Sequence, residues 1–136
     1  MIIKRQTNKD LKKECDRLWR LCIRKRAGNK SELSGRTEVL QCHHLRGKPN
    51  LLLRYSLDNG FCCTKGEHFY GFHHTGRRAS YEERVKILRG KDIFDKLEAM
   101  KNINAKQDLN LIKITLEMEL KGYGNIWNFR KNYWNN

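Results

Sequence analysis

Residues 39–74 read VLQCHHLRGKPNLLLRYSLDNGFCCTKGEHFYGFHH, and they hold all five histidines of the chain and three of its five cysteines. Imidazole binds metal ions and moves protons near neutral pH, so histidines gathered this closely mark a candidate site for either task. The spacing narrows the reading. His43 and His44 are adjacent and close a β-prone run over residues 37–45. Consecutive residues on a strand face opposite ways, so a regular strand aims only one of the two at a given ion. A strand end or a bulge lets one bind while the other faces a substrate. Asn59 lies fifteen residues after His44 and opens the turn signal Asn59-Gly60, and His68 follows nine residues later. Residues 60–63 read as a second short strand and residues 65–72 as a helical turn or two. The expected order is a strand ending in His-His, a loop, an asparagine at a turn, a strand, and a helix carrying a histidine.

This order, with the tripeptide His43-His44-Leu45 and the Asn59-to-His68 interval, resembles the HNH endonucleases, whose active site is a ββα-metal hairpin. Residues 18–28 (LWRLCIRKRAG) and 80–98 (SYEERVKILRGKDIFDKLE) loosely resemble the phage NinG/Rap recombination nucleases. The resemblance implies an α+β fold, with a small ββα-metal site embedded in a mainly helical domain. It implies His43 and His68 as ligands of one divalent ion, with Mg2+ expected first and Mn2+, Ni2+ or Zn2+ as options. It implies His44 as the general base that deprotonates water, and Asn59 as the residue that pins the hairpin loop. The reaction would be phosphodiester hydrolysis on DNA, on branched or recombining DNA in particular, leaving 5′-phosphate and 3′-hydroxyl ends.

Two departures from that family bear on the expectation. Many members carry two Cys-x-x-Cys knuckles that hold a structural zinc. Here the corresponding positions read Ser31, Ser34, Thr64 and Glu67, so no structural zinc is expected there. A further histidine commonly follows the helix histidine by four residues. Here Phe72 stands at that place, with His73 and His74 just after it. On an α-helix His73 would lie about 140° around from His68. It ligates only if the helix has ended, with Gly71 as the expected terminator. His73 is taken as the third ligand and His74 as the alternative.

At 136 residues the chain is expected to be one domain, organised as a basic helix over residues 8–27, the motif over 37–74, a helical part over 80–122 and an aromatic and basic tail over 123–136. Its 29 Lys and Arg against 15 Asp and Glu give a net charge of +14, which favours a polyanionic partner, here DNA. No run of eighteen apolar residues suggests a membrane span, and no signal-peptide pattern opens the chain. Five cysteines without a Cys-x-x-Cys pair read as reduced thiols in a cytoplasm, that of a host if the chain is phage-encoded.

In the first helix Leu11, Cys15, Leu18, Trp19, Cys22 and Ile23 recur at three- and four-residue spacing. Asn8 is the expected cap and Gly28 the expected stop. Arg24, Lys25 and Arg26 at its end are candidate phosphate contacts, as are Arg46, Lys48 and Arg54 in the loop and Arg77 and Arg78 after the hairpin. Leu51, Leu52 and Leu53 are expected to tuck under the hairpin. Ser80 and Asp92 are expected to cap the next two helices and Asp108 the last. In that last helix Leu109, Ile112, Leu116 and Leu120 share a face that Leu111, Ile114 and Met118 widen. Such width implies burial on two sides or a homodimer contact. The tail aromatics Tyr123, Trp127, Phe129, Tyr133 and Trp134 either dock onto protein or stack on bases. Two other readings stand beside the nuclease: a non-catalytic zinc- or DNA-binding module, with Cys42, Cys62 or Cys63 among the zinc ligands, and an assembly protein on a degenerate HNH scaffold.

Overall fold

The computed structural model describes residues 6–47, 50–73, 76–103 and 106–122. The described chain mixes helix with one two-stranded antiparallel sheet. In order, the elements are α1 (Asn8–Arg26), β1 (Leu40–His44), α2 (Leu51–Arg54), a 3-10 turn (Leu57–Asn59), β2 (Gly60–Thr64), a π-helical segment (Glu67–Phe72), α3 (Arg78–Arg89), α4 (Lys91–Met100) and α5 (Leu109–Leu120). They fall into two units. One comprises residues 1–22 and 108–136, the other residues 23–107.

The first unit contains most of α1 together with α5. The apolar stripe of α1 is buried at Leu11, Cys15, Leu18, Trp19 and Cys22. The Cys15 and Cys22 thiols approach the carbonyls of Leu109 and Leu116, each at 3.5 Å. The cap of α1 is Thr7, not Asn8: Thr7 Oγ1 accepts from the Asp10 N–H and the Asp10 carboxylate accepts from the Thr7 N–H, a reciprocal box that satisfies two otherwise unpaired donors. Asp108 caps α5, accepting from the N–H groups of Asn110 and Leu111. One face of α5 is buried through Leu109 and Leu116, while Leu111, Ile114 and Met118 are exposed. Among the described residues, the two-sided burial expected for this helix is therefore met on one side only.

The second unit is built on the hairpin. Register pairs Leu40 with Thr64, Cys42 with Cys62, His43 with Phe61 and His44 with Gly60. Every residue of β2 is buried, whereas β1 is half-buried. The hairpin therefore has to be covered, and α3 and α4 supply the apolar cover. Leu45, Leu53, Phe61, Cys63, Phe72, Val85, Phe94 and Leu97 form one buried cluster, each large side chain contributing about 1.5–3 kcal/mol of transfer free energy. Of the three loop leucines, Leu53 is fully buried in this cluster and Leu51 and Leu52 are half-buried. They sit on α2, which is capped by Asn50 Oδ1 accepting from the Leu53 N–H at 2.7 Å.

Two arginines tie the covering helices to the hairpin. Arg89 donates to Glu32 at 2.6 Å and to the Gly60 carbonyl at 3.1 Å, and Arg46 pairs with Glu82 and Glu98 while lying over the Phe94 ring. Ser80 lies inside α3, which starts at Arg78, and Asp92 lies in the first turn of α4 behind Gly90. Neither is the cap its neighbours in sequence suggested. The tail over residues 123–136 lies outside the described residues. Among the described residues no helix is long and apolar enough to cross a membrane.

Candidate metal centre

The hairpin and the π-helical segment bring His43, His68 and His73 together. One ring nitrogen from each lies within 4.8 Å of the other two. Ring centroids are 5.0 Å apart for His43 and His68, 5.4 Å for His43 and His73, and 4.5 Å for His68 and His73. The helix winding explains how His73 reaches the cluster. The His73 N–H donates to the His68 carbonyl, five residues back, at 3.2 Å. Winding with i→i+5 bonds places residues five apart on one face, which an α-helix does not. The helix does not end at Gly71, as the sequence suggested; it widens instead. Gly71 is needed for another reason: a Cβ there would lie 2.5 Å from the Tyr81 ring. That ring packs on Phe72, and Phe72 in turn stacks on His43 at 4.2 Å.

Hydrogen bonds fix two tautomers. Gln41 Oε1 accepts from His68 Nδ1–H at 2.7 Å, which leaves the lone pair of His68 on Nε2. That nitrogen faces His73 Nε2 at 2.9 Å. His43 Nε2 is buried and has no hydrogen-bond partner among the described residues. An orphaned buried ring nitrogen is costly until a partner or a cation reaches it, while the apposed nitrogens of His68 and His73 share either a proton or a cation. Two nitrogens bound about 2.1 Å from one ion at a right angle sit about 3 Å apart, so the spacing of His68 and His73 fits shared ligation. Burial, and then the neighbouring His68 and His73, push the His43 imidazole down to about 3. Burial followed by His73 also lowers His68. Near neutral pH these two imidazoles are therefore uncharged, the form in which a histidine ligates metal.

His44, on the other face of β1, is held differently. Its Nε2 lies 3.0 Å from the Arg54 carbonyl. A carbonyl only accepts, so Nε2 carries the proton and the basic lone pair is on Nδ1. Asn59 is fully buried and spans the loop between the strands. Its Oδ1 accepts from the Arg46 N–H at 2.9 Å, and its Nδ2 donates to the carbonyls of Gly47 at 3.0 Å and Leu53 at 2.9 Å. Its own carbonyl accepts from the Leu45 N–H. It thus sets the path of the segment whose Arg54 carbonyl orients His44.

The basic residues divide by what they already touch. Arg24 donates to the Leu40 carbonyl, Arg26 to those of Leu57 and Gly60, and Arg46 is in its two ion pairs. These three guanidinium groups brace the hairpin. Arg54 lies over the Tyr55 ring. Lys25 and Arg77 are exposed, and so is Arg78, which also reaches Glu82. Lys48 and His74 lie outside the described residues. Cys42, Cys62 and Cys63 belong to no gathered set of three ligand atoms among the described residues.

A second polar cluster sits at the start of the same helix. Glu67 Oε1 accepts from Ser31 Oγ at 2.6 Å and from the Thr64 N–H at 2.8 Å, and Thr64 Oγ1 accepts from the Glu67 N–H at 3.1 Å. Ser31 Oγ also accepts from the N–H groups of Leu33 and Ser34. Burial pushes the Glu67 carboxyl up, and hydrogen bonds from Ser31, Thr64 and Ser34 more than offset it, so it lies below the ordinary carboxylate value. These are the four positions that the resemblance aligns with knuckle cysteines. They form a hydrogen-bonded knot around one carboxylate.

The sequence reading passes over Gln41 and takes Glu67 only as a position without a knuckle cysteine, though each leaves a signal. Gln41 is two residues from His43 and hence on the same strand face, and Thr64-x-x-Glu67 is a capping-box pattern. Comparison with family models, with curated proteins and with solved structures finds no match to this chain.

Proposed function

We propose that this chain is a metal-dependent endonuclease that hydrolyses phosphodiester bonds in DNA. The observation that carries the reading is one hairpin and helix presenting three converging imidazoles beside a fourth with a fixed tautomer. His43, His68 and His73 would hold the divalent ion, Gln41 fixing the ring of His68. Such an ion supplies charge stabilisation at a phosphate oxygen and at the leaving 3′ oxygen. His44 takes the proton from the attacking water at Nδ1, while the Arg54 carbonyl stabilises the imidazolium that results. Asn59 acts through the loop by keeping that carbonyl in place. Lys25, Arg77 and Arg78 are the exposed cations best suited to phosphates, and the net charge of +14 draws the substrate in. Three imidazoles without a carboxylate suit Zn2+ or Ni2+ better than Mg2+, so the donor set reverses the order of ions that the resemblance implied.

Plasmid cleavage measured across Mg2+, Mn2+, Ni2+ and Zn2+, with His44→Ala as the control, tests this. The expected result is cleavage by the wild-type chain and a loss of about 10²–10⁴-fold in the variant, with metal binding retained. Absence of cleavage with every ion, or a His44→Ala variant as active as wild type, overturns the proposal.

A further inference from the structure

Two large aromatic side chains next to the metal centre do not serve the core. Phe69 is 63% exposed and Tyr70 59% exposed, and their rings meet edge to face at 5.0 Å. They follow His68 directly, and Phe72, two residues on, supplies the apolar packing of the segment. Lys65 is exposed and stands four and five residues before the pair, just ahead of the segment. The only acid on the segment, Glu67, has its carboxylate turned toward Ser31 and Thr64. Among the described residues, the segment thus exposes two rings with a lysine just before them, and its own carboxylate is turned away.

We infer that Phe69 and Tyr70 form a stacking platform for unpaired nucleobases, so that the favoured substrate is DNA with unstacked bases beside the bond to be cut. The inference rests on the nuclease reading for the location of that bond. A base inside a duplex has both π faces covered by its neighbours and offers nothing to stack on. An unpaired base gains both the aromatic contact and the phosphate attraction of a cation such as Lys65. A protein partner or a second copy of the chain would use the same rings only as apolar surface.

The test is fluorescence anisotropy on the full chain at fixed salt, in chelator so that no strand is cut. It compares a labelled single strand with the duplex of the same sequence. Wild type is expected to favour the single strand by about tenfold or more, the lower range for stacking of one base. Phe69→Ala/Tyr70→Ala is expected to lose that preference while duplex affinity stays within about twofold, which also shows the variant to be folded. Phe69→Leu/Tyr70→Leu keeps apolar bulk without a π face and is expected to behave like the alanine pair. Equal losses on both DNAs, no single-strand preference in wild type, or a leucine pair that binds like wild type each overturn the inference. A preference that vanishes with the rings, in a chain that cleaves with no ion, sustains the platform and sinks the nuclease. Cleavage without the preference does the reverse.

Discussion

The helix that carries His68 holds two polar clusters of opposite character. At its start, the Glu67 carboxylate accepts from Ser31 and Thr64, and Ser31 accepts in turn from two backbone N–H groups. Each principal group there has a partner within the chain. Along its side, from His68 to His73, three imidazoles converge with one buried nitrogen orphaned and two others in apposition. Buried polar groups are normally satisfied, because leaving one unmade costs about 1–3 kcal/mol. The satisfied cluster is scaffold, complete without a ligand. The other leaves the buried His43 Nε2 without a partner among the described residues, a cost that a bound cation would relieve. The same contrast separates Arg46, spent on Glu82 and Glu98, from the exposed Arg77.

The sharpest way to break this contrast is to remove one imidazole. His68→Ala should weaken Zn2+ or Ni2+ binding by about a hundredfold or more, beyond the 10–100-fold typical of losing an outer-shell partner, while the fold melts close to wild type. Calorimetric titration decides it, and unchanged affinity would remove the metal centre. Asn59→Ala comes next. It leaves the Arg46 N–H and the Gly47 carbonyl without their Asn59 bonds in a buried loop, and removes one bond from the Leu53 carbonyl, which keeps the Ser56 N–H. Urea unfolding should show a loss of about 3 kcal/mol, with cleavage falling because Arg54 no longer aims His44. The satisfied cluster should respond more mildly. Glu67→Gln keeps the size and one acceptor but loses charge-assisted bonds, and is expected to cost about 1–2 kcal/mol of stability with metal affinity nearly intact. A Glu67→Gln variant that loses metal as His68→Ala does would erase the distinction between the clusters.

The hairpin was legible because its signals are local: paired histidines after a β-prone run, Asn59-Gly60 at a turn, and a second short strand over residues 60–63. The caps of α1, α3 and α4 were misplaced by one or more residues, since Asn8, Ser80 and Asp92 carry the same chemistry as true caps and only backbone geometry separates them. The third ligand position could not be resolved from spacing. Helical periodicity assumes i→i+4 bonding, and widening to i→i+5 depends on how the segment packs, with Tyr81 pressed against Gly71. The reach of the basic residues was hardest. Sequence shows that Arg24, Arg26 and Arg46 are charged, but the carbonyl partners of Arg24 and Arg26 and the carboxylate partners of Arg46 lie between 16 and 52 residues away.

Acid distinguishes the two clusters with the smallest effect. In the chelated protein the buried His43 has its imidazole pushed down to about 3 from 6.5. Between those values the unfolded chain holds a proton that the native site excludes, so stability rises with pH across that window and is lost as pH falls through it. From His43 alone the step from pH 6 to pH 5 should cost about 1 kcal/mol. Glu67, whose carboxyl is held low, contributes stability that persists to more acidic pH, because it must itself be protonated before its bonds are lost. His43→Phe keeps a ring against Phe72 and takes up no proton, so the slope of unfolding free energy between pH 6 and 5 should flatten in that variant. An unchanged slope would mean that the buried imidazole is not where the native fold excludes the proton, and that the orphaned nitrogen costs the apo protein nothing. Saturating Zn2+ should steepen the wild-type slope, since ion and protons compete for the same lone pairs, and leave the slope of a chain without the cluster unchanged.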